Sequence, residues 1–391
     1  MRTGVGIVGG GPAGLLLSHL LHREGIESVV LEARSREHVT HRVRAGVLEQ
    51  ATVELLNQAG LGARLRSEAL VHHGIELRWA GAAHRIALTE LTGRSIFVYG
   101  QQELVKDLID ARLAAGGALR FEVSDVRLAA IDSTQPTLRF RHAGEEHELV
   151  CDFVAGCDGS HGMSKDAIPK AALRVYRHEY PFAWLGILAD VPPSTEELIY
   201  ASHERGFALH SLRSPRISRL YLQVEPGADV ADWPDDRVWQ ELGTRLARDG
   251  WTLRDGPVLE KNVAAMRSLV VEPMQYGRLF LAGDAAHVVP ATGAKGLNLA
   301  VHDVKVLAGA LARFYRTGST RLLDEYSAVC LKRAWRVQEF SLWMGTMLHR
   351  LPGSEGFFGR LQRAQLEYVC ASEAGARALA ENYVGLPHEA E

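Results

Sequence analysis

Glycines with a specific spacing near the N-terminus could bind a phosphate group. Residues 9–14 read GGGPAG; they follow a short apolar stretch at 5–8 and precede a run of leucines. Gly9, Gly11 and Gly14 match the G-x-G-x-x-G pattern, whose glycines allow a tight turn and a close approach of the backbone to a pyrophosphate. A loop between a strand and a helix places the phosphates at the helix N-terminus, where the dipole favours negative charge. The pattern therefore predicts a dinucleotide-binding unit.

An acidic residue follows at the spacing that this unit requires. Residues 28–31 form a second largely apolar stretch, and Glu32 comes directly after it. An acid roughly 20 residues beyond the glycine loop lies where the ribose hydroxyls of an adenine nucleotide would be. Glu32 is therefore predicted to bind the ribose.

Two later segments indicate a longer cofactor. A predicted strand at 150–156 leads to Asp158 and Gly159, and another at 278–282 ends at Gly283 and Asp284. A helix is expected to begin near Gly296, and its free N–H groups would favour an anion. A nucleotide contacted from both ends of the sequence favours FAD over NAD.

Composition limits the class of protein. The chain has 391 residues, 47% of them apolar, which is enough for a large core and two or three domains. Lys and Arg number 44 against 47 Asp and Glu, so no strong field favours nucleic acid or an anionic membrane. The four cysteines lack CxxC spacing, and the 17 histidines show no metal-binding motif. We expect a cytoplasmic protein without a metal site, a nucleic-acid partner or a membrane segment.

The middle of the chain, about 180–265, changes from helix–strand alternation to strands. Strands are expected at 182–189, 198–202, 206–213 and 217–224. If the last two form a hairpin, their alternation places one set of side chains on a common face: Leu209, Ser211, Arg213, Arg219 and Tyr221. Such a face is either solvated or, if another domain covers it, a site for a carboxylate, which an arginine fork can bind bidentately. The residues alone leave both interpretations open.

The order of the three motifs resembles the single-component flavin-dependent aromatic hydroxylases. The resemblance spans essentially the whole chain and is most specific over 42–50 and 278–287. It implies an α/β fold: a Rossmann-like FAD-binding domain with a parallel sheet (1–178 and 266–296), an inserted antiparallel-sheet substrate domain (179–265) and a helical C-terminal segment (297–391). That last segment is a candidate dimer interface, since the resemblance also implies a homodimer.

The resemblance further implies an activity. The chain is expected to hydroxylate 4-hydroxybenzoate to 3,4-dihydroxybenzoate with FAD, NADPH or NADH, and O₂, through a C4a-hydroperoxide of the flavin. Three alternatives stay open: a hydroxylase of another aromatic acid, such as 4-aminobenzoate or a dihydroxybenzoate; an FAD-dependent reductase that does not use O₂; and a flavoprotein that only binds an aromatic acid.

The family's functional positions match the following residues. Tyr200 and Tyr383 are expected to relay the proton of the substrate hydroxyl, with His72 at the solvent end. Substrate contacts are expected from Ser211, Arg213, Tyr221, Tyr200, Trp184, Leu198, Leu209, Ala291 and Thr292. FAD contacts are expected from Gly9, Gly11, Gly14, Glu32, Arg42, Arg44, Val47, Gln102, Asp158, Gly159, Arg219, Asp284, Gly296, Leu297 and Asn298. Contacts with the nicotinamide coenzyme are expected from Arg34, His38, Arg42, His161, Lys165 and Arg267.

Two segments depart from the family pattern. Ala291 stands where the family usually has the second of two prolines, so we expect hydroxylation to be retained with less backbone rigidity. The segment 33–38, which helps to read the 2′-phosphate of NADPH in the family, also differs. Arg34 and Arg36 would attract that phosphate and Glu37 would repel it, so the choice between NADPH and NADH stays open.

Overall fold

The computed structural model describes residues 1–41 and 46–385, so the predicted sites Arg42 and Arg44 lie outside the described residues. The strands are β1 Arg2–Val8, β2 Ser28–Leu31, β3 Val47–Glu49, β4 Leu70–His72, β5 Ile75–Trp79, β6 Ala82–Ile86, β7 Ile96–Val98, β8 Ala118–Arg120, β9 Ser124–Ala129, β10 Thr137–His142, β11 Glu145–Gly156, β12 Arg174–Ala189, β13 Leu198–Ser202, β14 Ala208–Leu212, β15 Ser218–Val224, β16 Val258–Glu272, β17 Gln275–Tyr276, β18 Leu279–Leu281 and β19 His287–Val288. The α-helices are α1 Pro12–Arg23, α2 Arg36–His41, α3 Gln50–Gln58, α4 Gly62–Glu68, α5 Leu88–Thr92, α6 Gln101–Ala114, α7 Asp235–Arg245, α8 Gly296–Thr317, α9 Arg321–Leu348, α10 Phe357–Ala371 and α11 Glu373–Val384.

The first sheet carries the nucleotide motifs. Its strand order is β17-β18-β11-β1-β2-β8, and β1, β2, β8, β11 and β18 run parallel. Val8 pairs with Leu31 on one side and with Gly156 on the other, and Gly156 in turn pairs with Leu281. Because these strands end at the same edge, the loops that follow them meet there. The predicted parallel, Rossmann-like sheet is confirmed.

The second sheet is mainly antiparallel, with the order β19-β16-β12-β15-β14-β13-β5-β6. The predicted antiparallel sheet is therefore present, and β13 has the bounds expected from sequence. The sheet also includes β5 and β6, and its strands β12 and β16 extend beyond 179–265. The domain boundaries therefore stay a prediction.

Helix α7 was not expected within the strand-rich region. Val238 and Leu242, one helical turn apart, are buried against the sheet together with Leu220 and Leu222 of β15. This helix covers one face of the hairpin β14–β15, so the opposite face is the one available to the rest of the chain.

The C-terminal part is helical, as expected. Helix α8 packs against α1 and α9, while α11 packs against α5 and α10. Among the helices of the described residues, none combines the length and the apolar character needed to cross a membrane.

Candidate active site

The glycine loop has the geometry of a phosphate-binding turn. A Cβ added to Gly14 would lie 2.0 Å from the carbonyl oxygen of Gly9, and Gly9 itself has φ +107°. A Cβ on Gly9 would also lie 2.3 Å from the carbonyl oxygen of Cys157, so larger residues are excluded at both positions. Gly11, by contrast, faces open space and begins α1 without a side-chain cap. The exposed N-terminus of α1 therefore fits a pyrophosphate.

Carboxylates border this loop on two sides. Glu32 accepts hydrogen bonds from the backbone N–H groups of Gly10 at 2.6 Å and Arg34 at 2.8 Å. The second acid, Asp158, uses one oxygen to accept from the N–H and the hydroxyl of Ser164, both at 2.8 Å. Burial raises the pKa of Asp158. The Asp158 carboxylate is therefore engaged with Ser164 in the turn after β11, whereas the Glu32 carboxylate binds the glycine loop at Gly10.

The helix that was expected to begin near Gly296 is α8. Lys295, the residue before the helix, provides no side-chain cap, and the first intrahelical bond is from the N–H of Leu299 to the carbonyl of Lys295 at 2.9 Å. The N–H groups of Gly296 and Leu297 therefore precede the helical ladder and can face an anion. The Asn298 side chain, however, is engaged within the protein, with bonds to Glu49 N–H, Thr52 hydroxyl, Val47 carbonyl and Ala294 carbonyl.

The structure contains the polar face predicted for the hairpin, and this face is turned towards the rest of the protein. Leu209 pairs with Tyr221 and Ser211 pairs with Arg219, which places the predicted set on one side. Leu209 and Tyr221 pack in one apolar cluster, whereas residues of the other face pack on α7 in another. The Arg213 guanidinium donates to the side-chain oxygen of Gln102, the residue expected at the flavin. The face is thus covered rather than solvated: α6 contacts it at Arg213, and the apolar cluster at Leu209 and Tyr221 includes side chains of α9, α10 and α11.

Two tyrosines from distant parts of the chain meet beside this face. The phenol oxygens of Tyr200 on β13 and Tyr383 on α11 lie 2.5 Å apart, and each side chain is 1% exposed. Burial raises the pKa of both phenols, so both stay neutral at working pH. A neutral phenol in this position can donate a hydrogen bond to a bound anion while accepting one from its neighbour.

The expected apolar walls belong to the same cluster as the two tyrosines. Trp184, Leu198 and Leu209 are buried there, and the partly buried Val47 packs against them. Thr292 is 0% exposed and its hydroxyl has no hydrogen-bond partner, whereas the neighbouring Ala291 is exposed. The structure therefore brings an arginine, two phenols and an apolar wall together around one region.

His72 differs from the sequence-based expectation. It was placed at the solvent end of the proton relay, but the side chain is 0% exposed and neither ring nitrogen has a hydrogen-bond partner. Burial lowers its pKa to about 4. The ion pair of Arg85 and Glu197 lies nearby: Glu197 accepts from the N–H of Gly74, and the Arg85 guanidinium packs on Gly74. The solvent-exposed position expected for His72 is therefore wrong in this structure.

A buried charge cluster was missed by sequence reasoning. Lys295 donates to the Glu49 carboxylate at 2.8 Å and to the backbone carbonyl of Tyr383 at 2.7 Å, while Arg333 donates to the other Glu49 oxygen at 2.7 Å. Lys295 and Glu49 are nearly inaccessible to solvent. The pairing joins residues far apart in the chain, so no local pattern could reveal it.

The residues expected at the coenzyme separate into two groups. His161, Lys165 and Arg267 line a cleft of about 380 Å³, together with Arg177 and His178. Arg267 donates to the hydroxyl of Ser160 at 2.9 Å, and Lys165 donates to the carbonyl of Gly162 at 2.7 Å. Arg34 and His38 are instead exposed at the start of α2. The cleft is cationic, although Asp166 and Glu179 also line it.

Comparison with known proteins gives a consistent set of matches. A family model described as an FAD binding domain matches residues 2–341. A p-hydroxybenzoate hydroxylase from Acinetobacter baylyi is 48% identical over 391 residues, covering 100% of this chain and 96% of that protein. A 3-(3-hydroxy-phenyl)propionate/3-hydroxycinnamic acid hydroxylase from Mycolicibacterium smegmatis is 26% identical over 366 residues, covering 88% of this chain and 60% of that protein. The solved structure of p-nitrophenol 4-monooxygenase from Pseudomonas putida aligns with a TM-score of 0.81 at 21% identity and covers 99% of both chains, which shows a shared fold.

Proposed function

The chain belongs to the FAD-binding domain family, and from this premise we propose that it is an FAD-dependent monooxygenase that converts 4-hydroxybenzoate to 3,4-dihydroxybenzoate with NAD(P)H and O₂. The observation that carries the proposal is the contact between Tyr200 and Tyr383 in a region that also contains Arg213. A phenol-binding group and a carboxylate-binding group on one buried surface match the two ends of 4-hydroxybenzoate.

Arg213 is proposed to bind the substrate carboxylate, with Ser211 and Tyr221 as further donors. These side chains share the inward face of the hairpin, and the guanidinium offers several donors in a fixed plane. The guanidinium bonds to Gln102 through one nitrogen, and a guanidinium has further N–H donors that can bind a carboxylate. Anchoring one end of a rigid ring in this way orients the other end towards Tyr200.

Tyr200 is proposed to stabilise the substrate as a phenolate. A free phenol has a pKa of about 10, and its ionised form is the better carbon nucleophile. A hydrogen bond from the neutral Tyr200 hydroxyl favours the charged form and lowers the substrate's pKa. Tyr383 can take part in moving the proton away, because its oxygen lies 2.5 Å from that of Tyr200.

The cofactor would be held by the glycine loop, by Glu32 and by the start of α8. The open N-terminus of α1 would contact the pyrophosphate, Glu32 the ribose, and the start of α8 the flavin ring. When bound and reduced by a nicotinamide coenzyme, FAD supplies the activated oxygen from O₂ that is transferred to the ring. The apolar walls Trp184, Leu198 and Leu209 would keep water from the reacting carbon.

The cationic cleft lined by His161, Lys165 and Arg267 supports binding of the coenzyme phosphates. We also propose a homodimer in the cytoplasm. The exposed apolar side chains of α10, Phe357 at 72% and Phe358 at 68%, support a contact with a second copy. The four cysteines are free, which is typical of a reducing compartment.

Product analysis tests the activity. The FAD-loaded protein is incubated aerobically with 4-hydroxybenzoate, with NADPH and NADH in separate reactions, and with 4-aminobenzoate as a parallel ring substrate. We expect 3,4-dihydroxybenzoate, and the rates with the two coenzymes give the preference. An R213Q variant is the matched control and should form far less product at the same substrate concentration. Coenzyme oxidation that yields only H₂O₂ would mean that another ring is the substrate, and no oxidation with either coenzyme would overturn the proposal.

A further inference from the structure

His349 is a buried histidine of the C-terminal helical part. It directly follows α9 and is 0% exposed. Its Nε2 lies 2.7 Å from the indole Nε1 of Trp184, and its Nδ1 lies 3.0 Å from the carbonyl oxygen of Gly345. A carbonyl can only accept, so Nδ1 carries the proton and Nε2 accepts from the indole N–H. The tautomer therefore follows from the two partners.

Aromatic side chains stack against the ring of His349. It stacks on Phe182 with centroids 4.0 Å apart and on Phe207 at 4.3 Å. Burial lowers its pKa to about 3, so the ring is neutral and Nε2 remains an acceptor throughout the neutral range. The acceptor is therefore both rigid and permanently available.

Trp184 contacts both the ring of His349 and Tyr221 on the inward face of the hairpin. The indole is stacked on Phe207 at 5.1 Å and tilted against Tyr221 at 4.9 Å, and Tyr221 shares the inward face of the hairpin with Arg213. The indole N–H is the only polar group of the side chain, so its hydrogen bond selects one orientation of the ring plane. Without an acceptor at His349, a buried donor would be left unsatisfied and other orientations of Trp184 would compete.

We propose that His349 is a positioning residue for the substrate pocket, which acts by fixing the indole plane of Trp184 as a wall against the aromatic ring of the substrate. The inference rests on the proposed function, in which Trp184 contacts the substrate. It assigns His349 no proton transfer. A histidine that only fills the core would not depend on the indole N–H, and this difference can be measured.

A double-mutant cycle distinguishes a positioning role of His349 from a role in which it only fills the core. FAD-loaded wild type, H349F, H349Q, W184F and the double variant H349F/W184F are compared by the dissociation constant of 4-hydroxybenzoate, read from the flavin absorbance change. H349F removes the acceptor, whereas H349Q can place an amide oxygen near the position of Nε2. H210F is the matched control, because His210 is equally buried but lies on the opposite face of the hairpin.

We expect H349F to weaken binding at least fivefold, H349Q to restore it to within about twofold, and H349F to have less than a twofold effect when Trp184 is already phenylalanine. Equal weakening by H349F in both backgrounds, or an equal effect of H210F, would overturn the inference. If H349F does not accumulate as holoenzyme, H349M makes the same comparison with a more adaptable side chain. Absence of binding by the wild type would instead count against the proposed function, so the two failures are distinguishable.

Discussion

The hydroxyl oxygens of Tyr200 and Tyr383 are 2.5 Å apart although the residues are separated by 183 positions in the chain. Strand β13 supplies one and helix α11 the other, and the rings meet edge to face at 6.1 Å. The pair therefore exists only when the C-terminal helices are packed on the second sheet. If the pair relays a proton as proposed, the chemistry of the ring depends on the docking of the C-terminal segment.

Replacing Tyr200 with phenylalanine should raise the pKa of bound 4-hydroxybenzoate. A hydrogen bond to a charged group contributes about 1.5–3 kcal/mol, which corresponds to roughly one to two pKa units. The absorbance of bound phenolate, titrated with pH, measures this directly. Y368F is the matched control, since Tyr368 is 59% exposed on α10 and should leave the titration unchanged. An unaltered titration in Y200F would remove Tyr200 from the proposed site.

Replacing Arg213 with glutamine should weaken substrate binding by about 2–4 kcal/mol, or roughly 30- to 1,000-fold, because a half-buried charge pair is lost. The control is a ligand rather than a variant: 4-methylphenol has the same ring and hydroxyl but no carboxylate. Its dissociation constant should be nearly the same for wild type and R213Q. Equal losses for both ligands would indicate that Arg213 supports the fold of the pocket and does not bind the carboxylate.

Replacing Glu49 with glutamine should destabilise the protein by about 3–5 kcal/mol, since Lys295 and Arg333 then lose their buried counter-charge. Urea denaturation of the holoprotein gives the difference. E148Q is the matched control, because Glu148 pairs with Arg139 in a pair whose side chains are 66% and 52% exposed, and such pairs contribute about 0–1 kcal/mol. A change in E49Q as small as that in E148Q would contradict the expectation.

Local patterns predicted the parts of the site that depend on one or two neighbouring elements. The glycine loop and the inward row of the hairpin, from Leu209 to Tyr221, followed from motif spacing and strand alternation alone. The sequence did not predict which face of the hairpin other elements cover, because helix α7 was not predicted. The bond from Lys295 to Glu49 and the burial of His72 depend on packing between distant segments, which no local pattern encodes.

Because of three buried histidines, the free energy of unfolding should decrease as the pH falls below about 6.5. Burial lowers the folded-state pKa of His72 to about 4, of His210 to about 4 and of His349 to about 3, against 6.5 for an exposed histidine. Below pH 6.5 the unfolded chain takes up protons that these folded rings do not, so each contributes stability above that pH and loses it as the pH falls. The expected slope is about 1.4 kcal/mol per pH unit for each such ring.

One histidine acts in the opposite direction. Asp303 raises the pKa of His287 despite its burial, so this ring contributes most stability below pH 6.5 and loses it as the pH rises through its folded-state value. Burial also lowers the pKa of His19 and His203, so five rings against one leave a net decrease on acidification. Urea denaturation at steps from pH 7 to pH 5 measures it, above the range in which most carboxylates titrate. H210L should reduce the slope by the share of one histidine, because its leucine takes up no proton in either state. A flat profile in the wild type would show that these rings are protonated within the folded protein.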